Sequence, residues 1–167
     1  MSRAGILDES ERVELIDGEI VLMSPKGARH ENVRHKLLSY WARRLPAEID
    51  IGVETPLRMD QNHEPLPDCF LYPATMNVSE VEADSVLLVV EVADSSLSYD
   101  LDIKAPRYAA YGVREVWVID ARSLSTTVFR DPAPEGYTSR IDMPREATLT
   151  PLLAPALAVR MADLDPD

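Results

Sequence analysis

The sequence predicts a mixed α/β (α+β) fold with a central mixed β-sheet. Three stretches carry the prediction. Residues 86–92 are aliphatic except for Glu91, the mark of a strand covered on both faces. Residues 30–45 place Val33, Leu37, Tyr40, Trp41 and Leu45 on one helical face. Residues 86–120 read strand, helix, strand, which favours a right-handed parallel crossover.

The elements follow in order. Glu14 to Leu22 reads as a β-hairpin turning at Asp17-Gly18. Ser24-Pro25-Lys26-Gly27 breaks the chain before the helix at 30–45, which Pro46 stops. Residues 49–57 read as a strand, 60–67 as a loop, and 68–72 as a short strand opening on Asp68. An irregular acidic connection at 73–84 leads to the strand at 86–92. Residues 102–111 are expected to be helical, with a first turn near Pro106 and Gly112 as C-cap. Glu115 to Asp120 is a buried strand, Leu124 to Arg130 its partner, and 131–136 a Pro-rich loop. The tail to Asp167 suggests a strand and a short terminal helix. No repeat or linker divides residues 1–167, so one domain is expected.

Composition narrows the class. An apolar fraction of 46% is ordinary for a globular protein. No apolar run approaches the ~20 residues that span a bilayer, so no membrane association is expected. The N-terminus has no apolar signal region, and the single cysteine, Cys69, has no internal partner. A cytoplasmic location is expected. A net charge of −12 argues against a broad basic surface and strong nonspecific nucleic-acid binding, though not against a nucleic-acid substrate. Arg29, Arg34, Lys36, Arg43 and Arg44 read as a solvated helix face. The short apolar C-terminal strands suggest a homodimer.

The chemistry centres on three residues. Pro67-Asp68 opens one strand, and Glu91 closes another at the edge where α/β sheets bind ligands. Lys104 follows Glu91 by thirteen residues, on the next helix. Two carboxylates on neighbouring strands can hold Mg²⁺ (or Mn²⁺) with water and substrate phosphate oxygens. The carbonyl beside the second acid, that of Val92, often completes such a sphere. A nearby lysine can orient or deprotonate water, or stabilise the charge that develops on phosphorus. Spacing alone is a weak signal, because any of these residues could be a surface ion pair. The buried strand around Glu91 lifts it above that reading.

At this point the chain resembles a known family. Glu14-Leu15-Ile16-Asp17-Gly18-Glu19, Ser24-Pro25 with His30, and Pro67-Asp68 match its early blocks. The run from Val90 to Ser96, then Tyr99-Asp100, Lys104, Pro106, Tyr108, Gly112-Val113 and Glu115 to Asp120 match its central block. These residues resemble the Uma2 family of bacterial proteins, in the PD-(D/E)XK nuclease superfamily, over about residues 11–130. The resemblance implies a restriction-endonuclease-like core in α-β-β-β-α-β order, with Asp68 and Glu91 as metal ligands. It also exposes a departure. The superfamily lysine normally stands two residues after the second acid, where this chain has Ala93. Lys104 matches the lysine of Uma2 proteins.

Other candidates carry two readings each. Glu14 is an accessory carboxylate or a hairpin-edge ion pair. His30 acts near the site or makes a structural hydrogen bond. Asp100 orients Lys104, caps the helix or touches the metal. Ser95 and Ser96 cap that helix or contact phosphate. Tyr108 and Tyr111 read as packing groups, Cys69 as an inert core thiol, and His35 and His63 show no zinc spacing. Two functions follow. The first is a metal-dependent endonuclease that hydrolyses DNA or RNA, with Asp68, Glu91 and Lys104 as its catalytic set. The second is a non-catalytic binding or regulatory module on the same fold, in which Lys104 pairs with Asp100 or Glu91.

Overall fold

The computed structural model describes residues 11–164, so the end of the expected terminal helix lies outside the described residues. Strands β1 (Val13–Ile16) and β2 (Glu19–Leu22) form the expected hairpin. Its turn residues Asp17 and Gly18 have φ of 51° and 75°, both in the left-handed region that a tight two-residue turn demands. Helix α1 (Ala28–Ala42) follows and buries His30, Val33, Leu37 and Trp41 at helical spacing.

The central sheet contains β3 (Ile49–Val53), β4 (Cys69–Pro73), β5 (Leu88–Ala93), β6 (Glu115–Asp120), β7 (Thr126–Ala133) and β8 (Gly136–Met143). They lie in that order, with every neighbouring pair antiparallel except the parallel pair β5–β6. Two more short strands, β9 (Thr148–Leu149) and β10 (Val159–Arg160), pair with each other. Among the described residues no helix is long and apolar enough to cross a membrane.

The crossover from β5 to β6 departs from the single helix expected. It runs as α2 (Leu97–Tyr99), a π-helical turn over Asp100–Lys104, and α3 (Ala105–Ala110). Pro106 has no N–H and its ring crowds the carbonyl four residues back, so a wider turn replaces regular helix ahead of it. That turn buries Asp100 and Lys104.

The sheet is covered on both faces. One cluster joins Val33, Leu37 and Trp41 of α1 to Leu88, Val90, Val92, Trp117 and Ile119. The other joins Ala105 and Tyr108 of α3 to Phe70, Val89, Ala93, Val116 and Val118. Strand β5 is therefore buried at every position, as its unbroken apolar run requires. Glu91 lies inside this strand and not at its end: β5 continues to Ala93. By strand alternation it faces the α3 side, with Val89 and Ala93.

The segment after β6 also differs from expectation. Residues 131–133 are not loop, because β7 continues through Pro132, which pairs with Tyr137 across the turn to β8. Asp131, with φ of 58°, kinks the strand there.

Candidate active site

The site begins where β4 and β5 part. Their ladder ends at the pair Cys69–Val90, and the next residues in register are Asp68 and Glu91. Here side chains replace the ladder. Asp68 Oδ2 accepts the Val92 N–H at 2.7 Å, and Glu91 Oε2 accepts the Asp68 N–H at 3.4 Å. Each acid caps the other's strand, so both carboxylates are fixed side by side while buried.

Glu91 Oε1 faces the crossover. Lys104 Nζ lies 2.6 Å from it, and the Tyr108 hydroxyl donates to it at 2.6 Å. Lys104 also donates to Glu14 Oε1 at 2.8 Å. The same Glu14 oxygen accepts the Leu66 N–H at 2.8 Å. Glu14 reaches the site because β1 docks on the loop before β4 through a bridge between Leu15 and Glu64. Burial alone would lower the Lys104 pKa, but the charges of Glu91 and Glu14 outweigh it and raise it, so Lys104 is an ammonium.

Asp100 stands apart from this pair. Its carboxylate accepts a hydrogen bond from Ser96 at 2.8 Å. Burial, and next the charge of Glu91, push its pKa up to about 7. Neither Ser96 nor any other side chain caps α2.

The outer oxygen of Asp68 has different company. Asp68 Oδ1 is buried and accepts no hydrogen bond. Lys26, from the loop before α1, forms an ion pair with it, and His30 Nε2 lies 3.1 Å away. Burial, and next the charge of Lys26, lower the His30 pKa to about 4, so the ring is neutral near pH 7. Burial also lowers the Lys26 pKa to about 8.

Glu14, His30, Asp68, Glu91, Val92, Asp100 and Lys104 all line one cleft of about 550 Å³. Its opposite wall is β2 and the following turn, Val21 to Gly27. The residues singled out as catalytic, metal-binding or accessory in the sequence thus converge on a single cavity. Lys104 lies at its floor, 4% exposed, and is not presented to solvent.

A family model described as "Putative restriction endonuclease", Uma2, matches residues 4–162. The chain belongs to the Uma2 family. The structure resembles the crystal structure of "a putative nuclease belonging to DUF820" from Anabaena variabilis, with a TM-score of 0.69 and 16% sequence identity. The match covers 91% of this chain and 88% of that one. This Uma2 chain therefore has that nuclease fold, with the expected α-β-β-β-α-β order running from α1 to β6. No curated protein matches the chain.

A divalent cation in this cleft would have two carboxylates to bind, those of Asp68 and Glu91. Among the described residues no group of three His, Cys, Asp or Glu side chains could hold a metal ion. Mg²⁺ does not require such a cage, since it takes one or two carboxylates and fills its octahedron with water and phosphate oxygens. Asp68 Oδ1 suits that role: it is buried, accepts no hydrogen bond and faces only cationic or ring nitrogen.

Two groups at the site were not legible as such. Tyr108 was expected to pack, and its ring does, but its hydroxyl is bound to Glu91. Its spacing of four residues from Lys104 was the available signal. Lys26 sits in a Pro-Gly turn with no periodicity to mark it. His63, which showed no zinc spacing, lies outside this cleft between Asp17 Oδ1 at 2.8 Å and Asp60 Oδ1 at 2.9 Å. Cys69 is a core thiol as expected, with its pKa pushed up to about 12 by burial.

Proposed function

We propose that this protein is a metal-dependent endonuclease that hydrolyses phosphodiester bonds in DNA or RNA. The observation that carries the reading is the reciprocal capping of Asp68 and Glu91, which fixes two carboxylates at the parting of two strands inside a cleft. The Uma2 match and the nuclease fold support it.

Asp68 Oδ1 and Glu91 would hold Mg²⁺ or Mn²⁺. Val92 turns its N–H toward Asp68, and strand geometry puts its carbonyl on the same edge, where it would be a third ligand. When bound, the cation would supply a Lewis acid for the phosphate and a water acidic enough to attack near neutral pH.

The chain's own groups set the rest. Tyr108 and Lys104 keep Glu91 aimed, since both contact the same oxygen. Lys104 is a positioning residue on this reading, because two carboxylates and its burial keep it from a phosphate. Neutral His30 can accept a proton near Asp68.

A non-catalytic module also has a specific observation in its favour, because Lys104 pairs with Glu91 as that reading expects. The cleft argues the other way, since it leaves room for a phosphate group. The decisive assay incubates wild type, Asp68→Asn and Glu91→Gln with Mn²⁺ and single- or double-stranded DNA and RNA. Metal-dependent cleavage by wild type, lost in both folded variants, is the expected result. Absence of cleavage of all four substrates would sink the enzymatic reading.

A further inference from the structure

The cleft has an unusual allocation of positive charge. Among the described cations near its mouth, Arg29 is held by Asp94, Arg12 by Glu54, and Arg34 by Glu31 and Glu54. None of those acids is a proposed metal ligand. Lys104 is shared by Glu91 and Glu14 at the floor. Lys26 alone is paired with Asp68 Oδ1, the oxygen left open once Val92 takes Oδ2.

Resting on the metal-site reading above, we propose that Lys26 is the resident counter-ion of the acid pair. Its ammonium holds the outer oxygen of Asp68 in the metal-free protein, leaves it when a divalent cation binds, and then pairs with a non-bridging oxygen of the scissile phosphate.

Three features argue for this exchange. An ammonium in contact with Asp68 Oδ1 repels a divalent cation on the same oxygen, so the two compete for it. Lys26 can move, because it stands between β2 and α1, outside any regular element, on a four-carbon stem. Once displaced it has a restricted choice of partners. Arg12 repels it, and so does Arg34; Glu91 and Glu54 attract it, but Lys104 already holds Glu91 and the two arginines hold Glu54. A phosphodiester entering the cleft brings the free anion. This arrangement also supplies, from a loop, the ammonium that Ala93 cannot supply from the strand.

The test measures Mn²⁺ affinity by calorimetry for wild type, Lys26→Met and Lys26→Arg. It then measures binding of a fluorescein-labelled phosphorothioate oligothymidylate to each Mn²⁺-loaded protein by anisotropy. Lys26→Met should bind Mn²⁺ about tenfold or more tighter, since no like charge must be displaced. The same variant should bind the oligonucleotide about tenfold more weakly, and Lys26→Arg should stay near wild type in both. Wild-type Mn²⁺ binding with no gain in Lys26→Met would overturn the exchange and leave the metal site standing. A gain in Mn²⁺ affinity with unchanged oligonucleotide binding would overturn the phosphate contact. No Mn²⁺ binding by any of the three would remove the metal-site reading and this inference together.

Discussion

Lys104 Nζ lies 2.6 Å from Glu91 Oε1, with both side chains 4% exposed. Glu91 lies on β5 and Lys104 ends the π turn of the crossover, and that turn, ahead of Pro106, brings one over the other. Glu14 arrives from a separate hairpin to make the second contact. One buried cation therefore neutralises two acids from distant parts of the chain.

Removing that cation should be costly. Lys104→Met leaves Glu91 and Glu14 facing each other without a counter-charge, a situation that typically costs about 3–5 kcal/mol. Urea unfolding should show a loss of that size, and Lys104→Met with Glu14→Gln should recover part of it. A loss below ~1 kcal/mol would show that the ion pair does not govern the stability of the crossover.

Tyr108→Phe isolates a single atom. The ring packs in the α3-side core, and only the hydroxyl reaches Glu91. Loss of a hydrogen bond to a charged group should cost about 1.5–3 kcal/mol while the near-ultraviolet spectrum keeps its folded shape. Equal stability of the two proteins would mean that water replaces the hydroxyl.

Gly52 is required by its neighbour and not by its backbone. It pairs with Phe70 across β3–β4, and a Cβ at this position would overlap the Phe70 ring. Gly52→Ala should destabilise the protein by about 1–3 kcal/mol through that overlap. Pairing Gly52→Ala with Phe70→Leu should relieve part of the strain, which thermal unfolding of the double variant would reveal.

His63 should make the hairpin's attachment depend on pH. Burial alone would lower its pKa, but hydrogen bonds to Asp17 and then Asp60 raise it. Asp17 is held well below the usual carboxylate range by Arg107 and next by His63. Asp60 is lowered to about 2, chiefly by the Tyr111 hydroxyl. The imidazolium contribution is complete below the unfolded value of about 6.5 and fades as pH rises through the raised folded value. The carboxylate contributions are complete above about pH 4 and fade as pH falls through the depressed folded values. The clasp should therefore be strongest between about pH 4 and 6.5. An NMR titration should place the His63 midpoint above the unperturbed value, and Asp17→Asn should move it down. A wild-type midpoint below ~6.5 would refute the clasp.

The sequence by itself determined the elements whose signals are local. Asp17-Gly18 dictates the turn of β1–β2, because both positions need positive φ. The aliphatic run of β5 required cover on both faces, and α1 and α3 supply it. A strand buried in that way made an acid at position 91 conspicuous; Asp68 and Lys104 stood out by placement and spacing, a weak signal that the family blocks supported. Tertiary structure alone decided what those residues touch. Side-chain partners depend on where strands part, which no residue type announces, and on where a helix winds wide, which Pro106 marks without saying what the turn brings together. The parting of β4 from β5 turned Asp68 and Glu91 into reciprocal caps. The π turn closed Lys104 onto Glu91 and Glu14. A loop lysine with no pattern around it, Lys26, came to rest on the oxygen of Asp68 that the strand ladder left open.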